Sequence, residues 1–213
     1  MIVAVAGCPH PPLLLRGITG RAVAEVERLQ AACLAAIGEL LAAGPDRLVV
    51  VGGAAPGEDD KALSIVVGRL LLNQAGCRLP IEHLVIAADS PPADCLRVGR
   101  ALASSALAAG GDGATGLLVM ADGSARRSLK APGYLDPRAA PFDDGVQACL
   151  AAGRLAGLAD LDPVLAAELL VAGRAAWQVL AGAVGEVAGR TTLHYSDDPF
   201  GVWYPVFSWL PAS

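Results

Sequence analysis

His10 is the residue best placed to do chemistry. It stands between prolines in AGCPHPPLLL, residues 6 to 15, directly after an apolar run, and it is one of three histidines in the chain. Imidazole serves as a metal ligand or as a proton carrier near neutral pH. Cys8, two residues earlier, is a second candidate ligand, but a metal site generally needs three or four. Ser124 in ADGSARRS offers a hydroxyl nucleophile, yet no G-x-S-x-G elbow surrounds it. Asp122 in the same segment follows an apolar run, where an aspartate more often satisfies loop N–H groups than does chemistry. His194 offers a base without a partner recognisable from sequence, and His83 opens an apolar run, where a structural role is the simpler reading.

Two further segments suggest ligand binding on glycine or charge content. GGAAPG, residues 52 to 57, places glycines after an apolar run, as anion-binding loops do. It matches neither G-x-G-x-x-G nor G-x-x-x-x-G-K-[ST], and no lysine is placed to reach a phosphate, so a tight strand-to-helix turn is the better reading. The acidic run Glu58-Asp59-Asp60 reads as a solvated helix start, favoured by the helix dipole.

The elements that must position these residues alternate in type. IVAVAG (2–7), RLVVVGG (47–53), HLVIAAD (83–89) and TGLLVMADGS (115–124) read as buried strands, the last running into its exit loop. Helices are expected over 20–43, 61–76 and 93–110, with apolar residues such as Val26, Leu29, Cys33, Ile37 and Leu40 at helical spacing. After the irregular stretch 124–145, a helix is expected from about 144 to 157. Another starts at Asp162 as N-cap with Pro163 at the first position, ending toward Gly173 or continuing to Gly185. The end, TTLHYSDDPFGVWYPVFSW, is strand-like and aromatic-rich, with a turn at Asp197-Asp198-Pro199. Such alternation predicts a single α/β domain over 1–213, with a largely parallel central sheet and helices on both faces. In that architecture ligands sit beyond the carboxyl ends of the strands, so CPHPP, GGAAPGEDD and ADGSARRS should converge on one edge.

Composition narrows the partners. With 54% hydrophobic and 17% charged residues over 213 positions, the chain is a packed globular protein. The net charge is −5 and no basic run occurs, which disfavours nucleic acid. No uncharged apolar run reaches the length of a membrane span, the most apolar late segment being interrupted by Glu168, Arg174 and Glu186. MIVAVAG lacks a basic n-region, and Cys8 comes too early to end a lipoprotein signal. The five cysteines are scattered, odd in number and without a C-x-x-C, the pattern of free thiols in a reducing compartment. A cytoplasmic protein is expected. The high apolar fraction is compatible with a homo-oligomer, and Trp203, Tyr204, Phe207 and Trp209 read as sheet packing before interface.

Taken together, several segments resemble the class III extradiol ring-cleavage dioxygenases, in the catalytic (beta) subunit-like superfamily that also includes the Memo-like proteins. CPHPPLLL is similar to that family's P-H-P-type loop after the first strand, with His10 at the metal-ligand position. MADGSARR stands where the family reads S-G-D-x-S-H, keeping Asp122 and Ser124, and PFDDGV matches its F-D element through Phe142 and Asp143. AWQVLAGAV and FGVWYPVFSW resemble the closing helix and strand, so the resemblance runs nearly the full length.

The departures bear on chemistry. The family's second metal histidine belongs in a loop like S-P-H-G-P after the second strand, where this chain has Ala54. Its acid/base histidine in S-G-D-x-S-H is replaced by Ala125. The third ligand, a carboxylate, is expected within 168–177, where Glu168 is the only acid. A ferrous site of this kind uses two histidines and one carboxylate and leaves open positions for catechol and dioxygen. Alanine supplies neither a lone pair nor a proton, and inheriting a fold does not restore them. The resemblance therefore implies a depleted metal site, no cofactor, and a retained pocket for a small aromatic ligand or a protein partner. The alternative is an active oxidoreductase with Fe(II) or another divalent metal on a rebuilt set: His10, Glu168, and a displaced His194 or His83.

Overall fold

The computed structural model describes residues 1–15, 23–55, 61–108 and 113–212. Six strands form one sheet: β1 (Ile2–Cys8), β2 (Arg47–Ala54), β3 (Ile81–Ala87), β4 (Thr115–Met120), β5 (Gly189–Asp197) and β6 (Tyr204–Pro211). Their order is β3-β2-β4-β1-β6-β5. The first four strands are mutually parallel, whereas β6 runs antiparallel to β1 and β5 antiparallel to β6. The expected largely parallel α/β sheet is thus present, extended by an antiparallel pair.

The strands are apolar without a break because both sheet faces are covered. Leu48, Val50, Leu118 and Met120 point to one face, where they pack with α1 (Ala24–Ala42) and α2 (Leu63–Gln74) through Leu29, Cys33, Ile37, Leu40, Ile65 and Leu71. Val49, Val51, Leu117 and Val119 point to the other. There they meet α3 (Pro92–Ala108), α4 (Ala139–Ala151), α5 (Pro163–Glu168) and α6 (Arg174–Val184), which contribute Leu102, Val146, Leu150, Ala166, Trp177 and Leu180. Two glycines let α3 and α6 touch backbone to backbone. A Cβ on Gly99 would lie 2.1 Å from the Val179 carbonyl oxygen, and one on Gly182 would lie 2.4 Å from that of Leu96.

This layering sends neighbouring strand exits to opposite faces of the sheet. The connections leaving β1 and β2 pass through α1 and α2 on one face, while β4, which lies between those strands, continues into α4 on the other. Neighbouring strands whose exits diverge to opposite faces open a crevice at their carboxyl ends. The described residues after β1 and β4, His10 and Asp122 among them, meet at that end of the sheet.

Several element boundaries differ from expectation. The helix placed at 144–157 begins at Ala139 and ends at Ala151, followed by a 3-10 turn over Leu155–Asp160. Pro141 falls in its first turn, where a missing N–H costs no helical hydrogen bond. β3 spans Ile81–Ala87 rather than 83–89, and Glu82 and His83 are exposed because it is an edge strand. Asp162 caps α5 as expected, its carboxylate accepting from the Val164 and Leu165 N–H groups at 2.8 and 3.1 Å. That helix stops at Glu168, however, and does not run on to Gly173 or Gly185. It closes with a Schellman motif, Val171 N–H donating to Ala166 O and Leu170 N–H to Ala167 O, which places Leu170 at φ +57°. The first part of the helix expected from residue 20, and the acidic Glu58–Asp60 run, lie outside the described residues; α1 itself begins at Ala24.

Candidate functional site

The β1 and β4 exits are tied together. The Ala121 N–H donates to the Cys8 carbonyl at 2.9 Å, extending the parallel ladder by one step. The His10 N–H then donates to Asp122 Oδ1 at 2.7 Å. His10 Nδ1 lies 3.4 Å from the same oxygen, within ion-pair range but without hydrogen-bond geometry, and it is buried with no other polar partner. The residues are 7% and 9% exposed, so the pair sits just beneath the surface. Pro9 and Pro11 flank the histidine and limit its backbone to extended conformations. Tyr204, buried at the start of β6, adjoins this pair. Burial pushes its phenol above the usual range and the Asp122 carboxylate adds to that.

Cys8 does not turn toward His10. Its Sγ lies 4.0 Å from the Cys33 carbonyl oxygen on α1, in the core of that face. The Cys33 thiol is pushed well up by its hydrogen bond with Cys8 and by burial. All five cysteines are free.

Ser124 performs a different task from nucleophilic attack. It is fully buried, its hydroxyl donates to Asp143 Oδ2 at 2.6 Å and its N–H to Asp143 Oδ1 at 3.0 Å. Both carboxylate oxygens of α4 are thereby used to hold the β4 exit loop. Burial raises the Asp143 carboxyl from 3.8 to about 6, against the opposing pull of the Ser124 bonds and the Arg127 guanidinium. Arg127 Nη1 stands 3.8 Å from Asp143 Oδ2, and its Nε donates to Asp198 Oδ2 at 2.6 Å. The Ser124 hydroxyl proton is committed to the Asp143 carboxylate and not to an imidazole, so among the described residues Ser124 has no histidine base to activate it as a nucleophile. The loop is closed from the other side by reciprocal bonds, Gly123 N–H to Trp203 O and Trp203 N–H to Ser124 O. A side chain at Gly123 would collide with the Trp203 ring at 2.3 Å.

The remaining sequence candidates are dispersed. Ala54 ends β2, buried and paired with Ala87, and contributes a methyl group only. Ala125 is half-buried, its N–H donating to the Leu169 carbonyl and its own carbonyl accepting from Gly133. Glu168 is half-exposed and committed to Arg138, whose Nη1 donates to its Oε2 at 2.7 Å. The same guanidinium grips Asp136 and lowers that carboxyl to about 2. His194 lies on β5, with Nε2 3.0 Å from Ser208 Oγ and 3.8 Å from Glu39 Oε1. His83 is exposed on the edge strand. The trio of His10, Glu168 and His194 is not assembled. Among the described residues no three His, Cys, Asp or Glu side chains form a metal-binding group. An imidazole beside one carboxylate, with methyl groups ending β2 and following Ser124, does not fit a two-histidine, one-carboxylate centre. What the pair can offer chemically is hydrogen bonding: an imidazole nitrogen and a carboxylate just beneath the surface, with Tyr204 nearby.

Two features carry more weight than sequence reading gave them. Asp143 was visible only as half of an F-D match, since its partner Ser124 lies 19 positions away. Arg174 stood out only as a charge interrupting an apolar stretch, yet it is 4% exposed at the start of α6. A lone arginine inside VLAAELLVAGRAAWQVL is itself a signal of buried, polar-bonded structure.

No helix among the described residues is long and apolar enough to cross a membrane. No family model matches the chain, and no curated protein matches it in sequence. In three dimensions it is similar to an uncharacterised protein from Escherichia coli K12 known from a crystal structure, with a TM-score of 0.55 and 15% identity. The match covers 98% of this chain and 99% of that one, so the two share a fold from end to end.

Proposed function

We propose that the chain is a relative of the class III extradiol dioxygenases with a depleted metal site, and that it binds a small hydroxylated aromatic molecule without cleaving it. The observation that carries this reading is the His10–Asp122 pair: the ligand-position imidazole has one carboxylate beside it and belongs to no group of three metal-ligating side chains among the described residues. Ala54 and Ala125, in place of the family's second ligand and its acid/base, remove the groups on which metal retention and proton transfer would depend. The free thiols favour a reducing, cytoplasmic setting.

The test is binding against turnover. Protein purified without oxygen is titrated with catechol by calorimetry, then mixed with Fe(II) and air while ring opening is followed by absorbance. Saturable binding that weakens in His10→Ala, with no ring-opened product, supports the reading. Ring opening dependent on added Fe(II) and abolished in His10→Ala would establish the alternative, an active oxidoreductase with a rebuilt ligand set.

A further inference from the structure

Arg174 is a buried cation whose polar partners are all neutral. Its Nη1 donates to the Ser90 carbonyl at 2.6 Å and to Gln178 Oε1 at 2.9 Å, with Cys95 Sγ at 3.8 Å. Its Nη2 donates to the Ala88 carbonyl at 2.6 Å. A guanidinium has five N–H groups. These contacts leave the Nε hydrogen and one Nη2 hydrogen without an acceptor among the described residues. Nε and Nη2 share the edge of the guanidinium plane that receives a carboxylate through two parallel hydrogen bonds. Taking a charge out of water without an opposite charge nearby is costly, so such a group is normally paired. The two acids that share the cleft do not neutralise it: Glu168 is held by Arg138, and among the described residues no ion pair joins Arg174 to Asp89.

The same arginine lines a cleft of about 740 Å³. One wall is the turn after β3, with Ala88 and Asp89. The other is α5 and its exit, with Pro163, Val164, Ala167 and Leu170. That volume falls within the range of small-molecule sites, which combine apolar walls with a few fixed polar groups. Val164 is 66% and Leu170 46% exposed, so the wall is open to an incoming ligand. Leu170 reaches its place through a left-handed backbone conformation, φ +57°, that a β-carbon disfavours.

We propose that this cleft binds a small monocarboxylate with an apolar body, the carboxylate resting on Arg174 Nε and Nη2 and the body lying against Val164, Ala167 and Leu170. The proposal stands apart from the His10 reading, because none of the residues lining the cleft belongs to the His10–Asp122 pair.

The test uses benzoate, with benzamide as its uncharged isostere, titrated calorimetrically into the full chain. Benzoate is expected to bind saturably, and benzamide about tenfold more weakly or worse, since charge-assisted bidentate bonds are the strong ones. Ala167→Phe, at an exposed helical position on the cleft wall, narrows the cleft while keeping the arginine itself and should weaken benzoate by at least about tenfold. Arg174→Gln should do the same, and if that variant fails to fold, Ala167→Phe decides alone. His10→Ala should leave benzoate binding unchanged. Absence of saturable benzoate binding, equal affinity for benzamide, or full affinity in Ala167→Phe would each overturn the proposal. Benzoate binding lost in His10→Ala would assign the ligand to the other site and overturn it as well.

Discussion

The His10 N–H donates to Asp122 Oδ1 across 112 positions of sequence, at 2.7 Å and with both residues buried. The same carboxylate oxygen lies 3.4 Å from His10 Nδ1, so one aspartate positions both the backbone and the ring of this histidine. Asp122 is itself held from behind, its carbonyl accepting the Gly173 N–H at 3.0 Å at the entrance to α6. β1, β4 and α6 therefore meet at a single residue.

Replacing Asp122 separates its two duties. Asp122→Asn keeps an acceptor for the His10 N–H and should change folding stability little. Asp122→Ala leaves a buried donor unsatisfied and should cost about 1–3 kcal/mol. Urea unfolding of the two variants checks this, and equal stability would show that the hydrogen bond is not what holds the loops together.

Asp143 should give the fold a pH dependence of opposite sign to that of most carboxylates. Its carboxyl is raised from 3.8 to about 6, so the folded chain binds this proton more tightly than the unfolded one. The stabilisation is fully present below the ordinary carboxylate value and is lost as pH rises through about 6. A shift of that size corresponds to at most about 3 kcal/mol. Asp143→Asn preserves the shape and removes the titration. The stability of the natural chain relative to this variant should fall between pH 4 and 6, as read by denaturant unfolding at each pH, and parallel curves would contradict the assignment.

Much of the architecture was legible because strands covered on both faces read as uninterrupted apolar runs, as in Arg47–Ala54 and Thr115–Met120. Edge strand β3 was misplaced by two residues because exposed Glu82 and His83 dilute that signal. The break between α5 and α6 was invisible, since a leucine rather than a glycine takes the left-handed position. At the candidate site, His10 and Asp122 were identifiable from loop sequences. The roles of Ser124 and Arg174 were not, because each depends on partners brought near only by the fold: Asp143 on α4, and the carbonyls of Ala88 and Ser90 after β3.

Leu170 offers a test of stored strain. A residue with a β-carbon in the left-handed region costs roughly 1 kcal/mol or more, and glycine relieves it. Leu170→Gly should therefore hold or raise the melting temperature although it deletes an apolar side chain, that side chain being 46% exposed. The same variant should weaken benzoate binding, because Leu170 forms part of the cleft wall. A clear drop in melting temperature would show that the leucine contributes more by packing than it loses by conformation.

The central claim concerns the metal. Iron and zinc content of the anaerobically purified protein, measured before and after equilibration with excess Fe(II) and desalting, tests it most directly. One imidazole beside one carboxylate, with only methyl groups at Ala54 and Ala125, should retain far less than one metal per chain, with no difference between the natural chain and His10→Ala. One metal per chain, lost in His10→Ala, would contradict the account.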